Sequence, residues 1–236
     1  MIFRQLFDQE TSTYTYLLAD KLSKEAVLID PVIENIERDV TLLKELGLKL
    51  KYAIDTHVHA DHVTATGELR DRTGCETGIS KKGDVKCSNM HLHEGAVLHF
   101  GAFHIDVLET PGHTDGCLSF VCDKRVFTGD ALLIRGCGRT DLQQGDTSIL
   151  YASITTKLYT LPDETQVFPG HDYHGLTVSS IGEEKQYNPR LILGEDGFVA
   201  FMQQLELDDP KKIHEAVPAN LACGQIHKQL EFRQAL

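Results

Sequence analysis

Residues 55–69 read DTHVHADHVTATGEL. Asp55, His57, His59, Asp61 and His62 crowd the first eight positions. In an extended loop alternate side chains point the same way, so His57 and His59 can reach one ion. Asp61 and His62 follow as the chain turns toward a helix, and can face a neighbouring position. Neutral imidazole and carboxylate suit zinc, iron or manganese, and no thiolate stands in the run. A single histidine after a strand is more often a surface or hydrogen-bonded residue. An H-x-H-x-D-H run reverses that expectation, because chance rarely places four ligand-type residues so close together.

Working outward, LKYAID (50–55) reads as a buried strand feeding this loop. Upstream, TYTYLLAD (13–20) and EAVLID (25–30) are β-branched, aromatic and apolar runs, the second stopped by Pro31. Ile33, Ile36, Val40, Leu43 and Leu46 recur at helical spacing, with Gly47 in the usual C-terminal position. A short helix is expected from about Val63 until Gly74. Downstream, AVLHF, FHIDVLET, CLSFVC and RVFTGD read as strands between Gly and Asp turns. Thr147 or Ser148 can cap a helix with Leu150, Ile154 and Leu158 on one face. Phe198, Phe201, Met202 and Leu205 form the stripe of a packing helix. Asp209-Pro210 reads as the cap and first residue of another. Strands with helices after the first and second groups imply two sheets packed face to face with helices outside, a layered α/β (α+β) sandwich.

Three further places repeat the pattern of apolar strand, glycine, then ligand-type residue. VLETPGH delivers His113, VFTGD delivers Asp130 and VFPGH delivers His171. Given the anchor at 57–62, these strand ends become credible together. His91, His93, His99, His104, His174, His214 and His227 lack that context and are read as ordinary histidines.

Composition narrows the partners. The chain has 236 residues, 41% hydrophobic and 25% charged, and a formal net charge of −12. That charge, without long Lys/Arg clusters, argues against nucleic acid and anionic membranes. No apolar run reaches transmembrane length, and MIFRQLFDQE reads as neither signal nor transit peptide. Cys75, Cys87, Cys117, Cys122, Cys137 and Cys223 show no C-x-x-C spacing and are expected as reduced thiols in a cytoplasmic setting.

T-H-V-H-A-D-H at 56–62, with His113, Asp130 and His171, resembles the metallo-β-lactamase superfamily. That resemblance implies a single-domain αββα sandwich over 1–236, with 170–236 as its C-terminal helical elaboration. TGDALLIRGCGRTDLQQG (128–145), PGHDYHG (169–175), NPRL (188–191) and AVPANLACG (216–224) are similar to persulfide dioxygenases of the ethylmalonic-encephalopathy protein type. The family implies oxidation of glutathione persulfide by O2 and water to sulfite and glutathione. It also implies one Fe(II) per chain on His57, His113 and Asp130, and a homodimer. Two histidines and one carboxylate with open positions are the arrangement associated with non-haem Fe(II) oxygenases. His59, Asp61, His62 and His171 would then orient ligands and waters. For the glutathione carboxylates, Arg139 is expected as a two-point clamp, with Tyr173 and Arg190 beside it. Cys137, with no basic partner next to it in sequence, is expected to pack rather than react.

The rival resemblance is to glyoxalase II, a binuclear thiolester hydrolase that uses all seven ligand types present here. The 65 residues after His171 are short for its helical substrate domain. A non-catalytic metal-stabilised binding module is the third reading, and it sits poorly with a complete ligand set.

Overall fold

In β2 (Thr13–Ala19), Tyr14, Tyr16 and Leu18 join one apolar cluster while Leu17 and Ala19 join another. The same split occurs in β3 (Glu25–Ile29), with Val27 and Ile29 on one side and Ala26 and Leu28 on the other. This period of two, apolar on both faces, is what a strand buried from both sides requires. The structure is a computed structural model describing residues 1–225.

The first sheet runs in sequence order: β1 (Ile2–Asp8), β2, β3, β4 (Lys49–Ile54), β5 (Glu76–Ser80) and β6 (Met90–Leu92). The second contains β7 (Val97–Phe100), β8 (Phe103–Glu109), β9 (Leu118–Cys122), β10 (Arg125–Gly129), β11 (Gln166–Pro169) and β12 (Ser179–Ser180), again in order. Between them lies an aromatic-rich core in which Tyr16, Phe120 and Phe127 are fully buried.

β3–β4 and β4–β5 pair in parallel, so each needs a crossover. Helices α1 (Ile36–Glu45) and α2 (Thr66–Thr73) supply them and cover the outer face of the first sheet. β10 and β11 are also parallel. Their crossover carries α3 (Thr147–Thr156), which packs Leu150 and Ile154 on Val126 and Val167. Helices α4 (Ile181–Tyr187) and α5 (Gly194–Gln203) join that layer, whereas α6 (Ile213–Asn220) lies against the loop after β4. The layers are helix, sheet, sheet, helix, as the sequence implied.

Several details differ from expectation. The cap of α3 is Asp146, whose carboxylate accepts from the Ile149 amide (2.9 Å). Leu158 packs with Leu150 and Ile154 but from a 3-10 turn beyond the helix. In α5 Phe198 and Met202 are buried, whereas Phe201 is 38% exposed. Helix α6 starts three residues after Pro210 and carries Pro218 inside. By contrast α1 ends where Gly47 adopts φ 61, and α2 where Gly74 adopts φ 72, the left-handed conformation glycine takes most readily.

The expectation of six reduced cysteines is overturned: Cys87 and Cys223 form a disulfide across 136 residues of sequence. The pairing follows from the way residues 213–224 fold back over the loop preceding β6, a contact without local sequence signal. The other four cysteines are buried free thiols. Cys137 lies in the core beneath α5, and burial pushes its thiol up, in keeping with packing.

Candidate metal centre

The four ligand-bearing segments meet at one edge of the sandwich. His57, His59, Asp61 and His62 follow β4, His113 follows β8, Asp130 follows β10 and His171 follows β11. The sheets are joined here by the Tyr14 amide donating to the Gly170 carbonyl (2.8 Å). Gly129 takes φ 49, and a Cβ there would lie 2.5 Å from the Thr56 hydroxyl oxygen. Glycine therefore lets Asp130 turn into the site.

His57, His113 and Asp130 bring one ligand atom each to within 4.8 Å of one another, as do His59, Asp61 and His62. Ring centroids are 4.1 Å apart for His57–His59, 4.9 Å for His57–His113 and 4.2 Å for His59–His62. His171 lies with its Nε2 3.5 Å from Asp61 and 3.6 Å from Asp130.

Hydrogen bonds choose which nitrogen of each ring is free. His113 Nδ1 donates to the Arg139 carbonyl (2.7 Å), leaving Nε2 unprotonated in the neutral ring. The Thr56 hydroxyl donates to Asp30 (3.0 Å), so its oxygen accepts from His57 Nδ1 (3.0 Å) and frees Nε2. His59 Nε2 donates to Asp30 (3.1 Å) and His62 Nδ1 donates to Asp61 (3.0 Å). His59 Nδ1, His62 Nε2 and Asp130 Oδ1 are buried without a hydrogen-bond partner among the described residues. Orphaned buried acceptors are costly. A cation beside either cluster would satisfy such acceptors, and the nitrogen–oxygen donor set fits a borderline divalent metal.

Electrostatics favour the same species. Burial, and then repulsion from His59 and His113, hold the His57 imidazole well below the ordinary histidine range. Burial and His62 do the same to His59. Burial pushes Asp130 up, but His171, His113 and His57 outweigh it and hold the carboxyl below its usual range. Neutral imidazoles beside an ionised carboxylate are the metal-binding forms. Asp30 and Asp55, buried behind the loop, are both raised by desolvation.

The site floors an open cavity of about 700 Å³, within the range of small-molecule sites. Tyr173 lies at its rim, 68% exposed, with its ring stacked on His171 at 5.9 Å and 7°. Arg190 lines one wall; it donates to the Cys137 carbonyl (2.8 Å) and lies over the Phe201 ring. Arg139 also lines the cavity, but its fork is filled. Nε and one terminal nitrogen each donate to Asp141 (2.7 Å), and the other terminal nitrogen donates to the Asp208 carbonyl (2.7 Å). The two-point contact expected of Arg139 is thus already made within the protein.

Residues the sequence reading passed over also stand here. Lys211 lines the cavity from an exposed position, and Lys212 is paired to Glu10 and Glu34 (2.9 Å each). His174 reaches the cavity too, through the loop after β11. His91, His93, His99, His104 and His214 do not line it, and His227 lies outside the described residues.

A two-sheet sandwich with this histidine–aspartate array at its edge defines the class. The metallo-beta-lactamase superfamily pattern matches residues 9–171, and the chain belongs to that superfamily. It is 51% identical over 227 residues to the mouse (Mus musculus) protein named "Persulfide dioxygenase ETHE1, mitochondrial", covering 95% of this chain and 89% of that one. The crystal structure of ETHE1 from Myxococcus xanthus superposes with a TM-score of 0.94 at 54% identity, covering 95% of this chain and all of that one. Similarity to hydroxyacylglutathione hydrolase GloC of Haemophilus influenzae is weaker and partial, 36% over 71% of this chain and 88% of that one. No helix among the described residues is long and apolar enough to cross a membrane.

Proposed function

We propose that this chain is a persulfide dioxygenase that oxidises glutathione persulfide with O2 and water to sulfite and glutathione. The observation that carries the proposal is about 50% identity to named persulfide dioxygenases over nearly the whole chain. The seven-residue ligand array at the sheet edge is consistent with it. Residues 170–236 belong, on this reading, to the same domain as a helical elaboration.

In the proposal His57, His113 and Asp130 hold one Fe(II). Iron supplies the electron exchange that ground-state O2 needs to react with a closed-shell sulfur compound, which zinc cannot. The chain's own contribution is positioning. Asp30, through Thr56 and His59, keeps the imidazoles in one tautomer, and the Arg139 carbonyl does the same for His113. Arg190, Lys211 and Tyr173 offer donors to the glutathione carboxylates, while Arg139 braces the wall formed by Leu207 and Asp208. A homodimer is part of the reading and rests on the family resemblance alone. So is a cytoplasmic setting, against which the Cys87–Cys223 bond weighs, since reducing compartments disfavour disulfides.

The complete His59, Asp61 and His62 cluster favours one second reading, a binuclear thiolester hydrolase of the glyoxalase II type. Metal analysis joined to O2 uptake with glutathione persulfide separates the two. About one iron per chain and persulfide-dependent O2 uptake support the dioxygenase. Two zinc ions and rapid cleavage of S-lactoylglutathione without O2 would overturn it.

A further inference from the structure

Asn220 is the last residue of α6, buried to 3% exposure. Its Nδ2 donates to the His59 carbonyl and to the His62 carbonyl, both at 2.8 Å. Its Oδ1 accepts from the Thr64 amide, also at 2.8 Å. One side chain thus closes three hydrogen bonds on the loop that carries the H-x-H-x-D-H run. That loop has no regular secondary structure of its own, and among the described residues no other group donates to either carbonyl. The imidazoles of His59 and His62 point into the site while their carbonyls point to Asn220, so the amide grips the loop from behind. The surrounding contacts are close: the Gly67 amide donates to the Cys223 carbonyl (3.1 Å), and a Cβ on Gly67 would lie 2.4 Å from that oxygen.

We infer that Asn220 is a positioning residue for the metal centre, setting the backbone from which His57, His59, Asp61 and His62 project. The inference rests on the reading of this site as a metal centre and holds whichever reaction the centre performs. A metal tolerates only small ligand displacements, and partners one layer out commonly change affinity about 10- to 100-fold. In Asn220→Asp the shape is kept, but the one nitrogen that donates both hydrogen bonds becomes an oxygen facing two carbonyl oxygens.

The test titrates metal-free protein with Co(II) in competition with a chelator and records the visible d–d spectrum. Asn220→Asp should bind Co(II) about 10- to 100-fold more weakly, with altered band intensities. Leu43→Ala, which loosens α1 on the outer face of the first sheet, controls for a merely destabilised chain and should keep wild-type affinity and spectrum. A folded Asn220→Asp with wild-type affinity and spectrum overturns the inference, whatever its thermal midpoint. Hydrogen exchange on the wild type gives a reading that needs no variant. The Thr64 amide should be protected, and rapid exchange there would show that the grip is not formed. A wild-type chain that binds no Co(II) at all would refute the metal centre itself, a separate result.

Discussion

The two ligand clusters lie side by side, with the His57 and His59 rings 4.1 Å apart, but are assembled in different ways. His59, Asp61 and His62 come from a single loop of four residues, whereas His57, His113 and Asp130 come from three strand ends. His57 follows a strand of the first sheet, and His113 and Asp130 follow strands of the second. A metal on that trio therefore ties the two sheets together, while a metal held by the local cluster alone, without His171, would leave them as they were. Ion binding at the trio should stabilise the whole sandwich, because its ligands converge only when both sheets are packed.

The largest effect is expected from His113→Ala. Loss of a ligand should weaken metal binding by more than the roughly 100-fold of an outer partner and remove the thermal stabilisation that metal confers. At a free metal concentration about 1,000-fold over Kd that stabilisation is about 4 kcal/mol. Metal analysis and melting curves with and without chelator check both. A His113→Ala protein still stabilised like wild type would mean that the local cluster is the main site.

His171→Ala sharpens the same contrast. On the mononuclear reading it should keep about one metal and lose activity about 10- to 100-fold, as when an orienting group is removed. Loss of one of two metals with complete loss of activity would move the comparison to the binuclear side. Metal stoichiometry and O2 uptake are measured on the same preparation.

Smaller changes are expected at the cavity wall. Arg139→Ala and Asp141→Ala should raise KM for the persulfide to similar degrees, about 10-fold, near 1.4 kcal/mol. Either change releases the segment at Leu207 and Asp208. A strong effect of Arg139→Ala beside a neutral Asp141→Ala would return Arg139 to direct carboxylate binding.

Cys87→Ser should affect the site least, leaving kcat/KM within about threefold, under 1 kcal/mol. Stability should nevertheless fall by about 2–4 kcal/mol, because the disulfide closes a long loop. Denaturant melts with and without reductant check this. Insensitivity of wild-type stability to reductant would show that the bond adds nothing.

Much of this architecture was readable in local pattern. The β-branched, aromatic and apolar runs TYTYLLAD and EAVLID read as strands, LKYAID as a buried one, and the glycines at 47 and 74 marked helix ends. The run from His57 to His62 announced metal chemistry because its ligands are neighbours in the chain. His113, Asp130 and His171 were recognisable as candidates from their strand-end setting. Their convergence, however, depends on how the two sheets dock.

Spacing along the chain could not supply the long-range partners. Cys87 and Cys223 are 136 residues apart, and Asn220 meets its loop across 156 to 161 residues. The guanidinium of Arg139 looked free in sequence, yet Asp141 and the carbonyls of Leu207 and Asp208 occupy it. Periodicity and ligand type are properties of neighbouring residues and are set where the chain is written. Which buried donor meets which carbonyl, and which cation is left for a ligand, depends on the packing of distant segments, where burial drives most polar groups to find a partner.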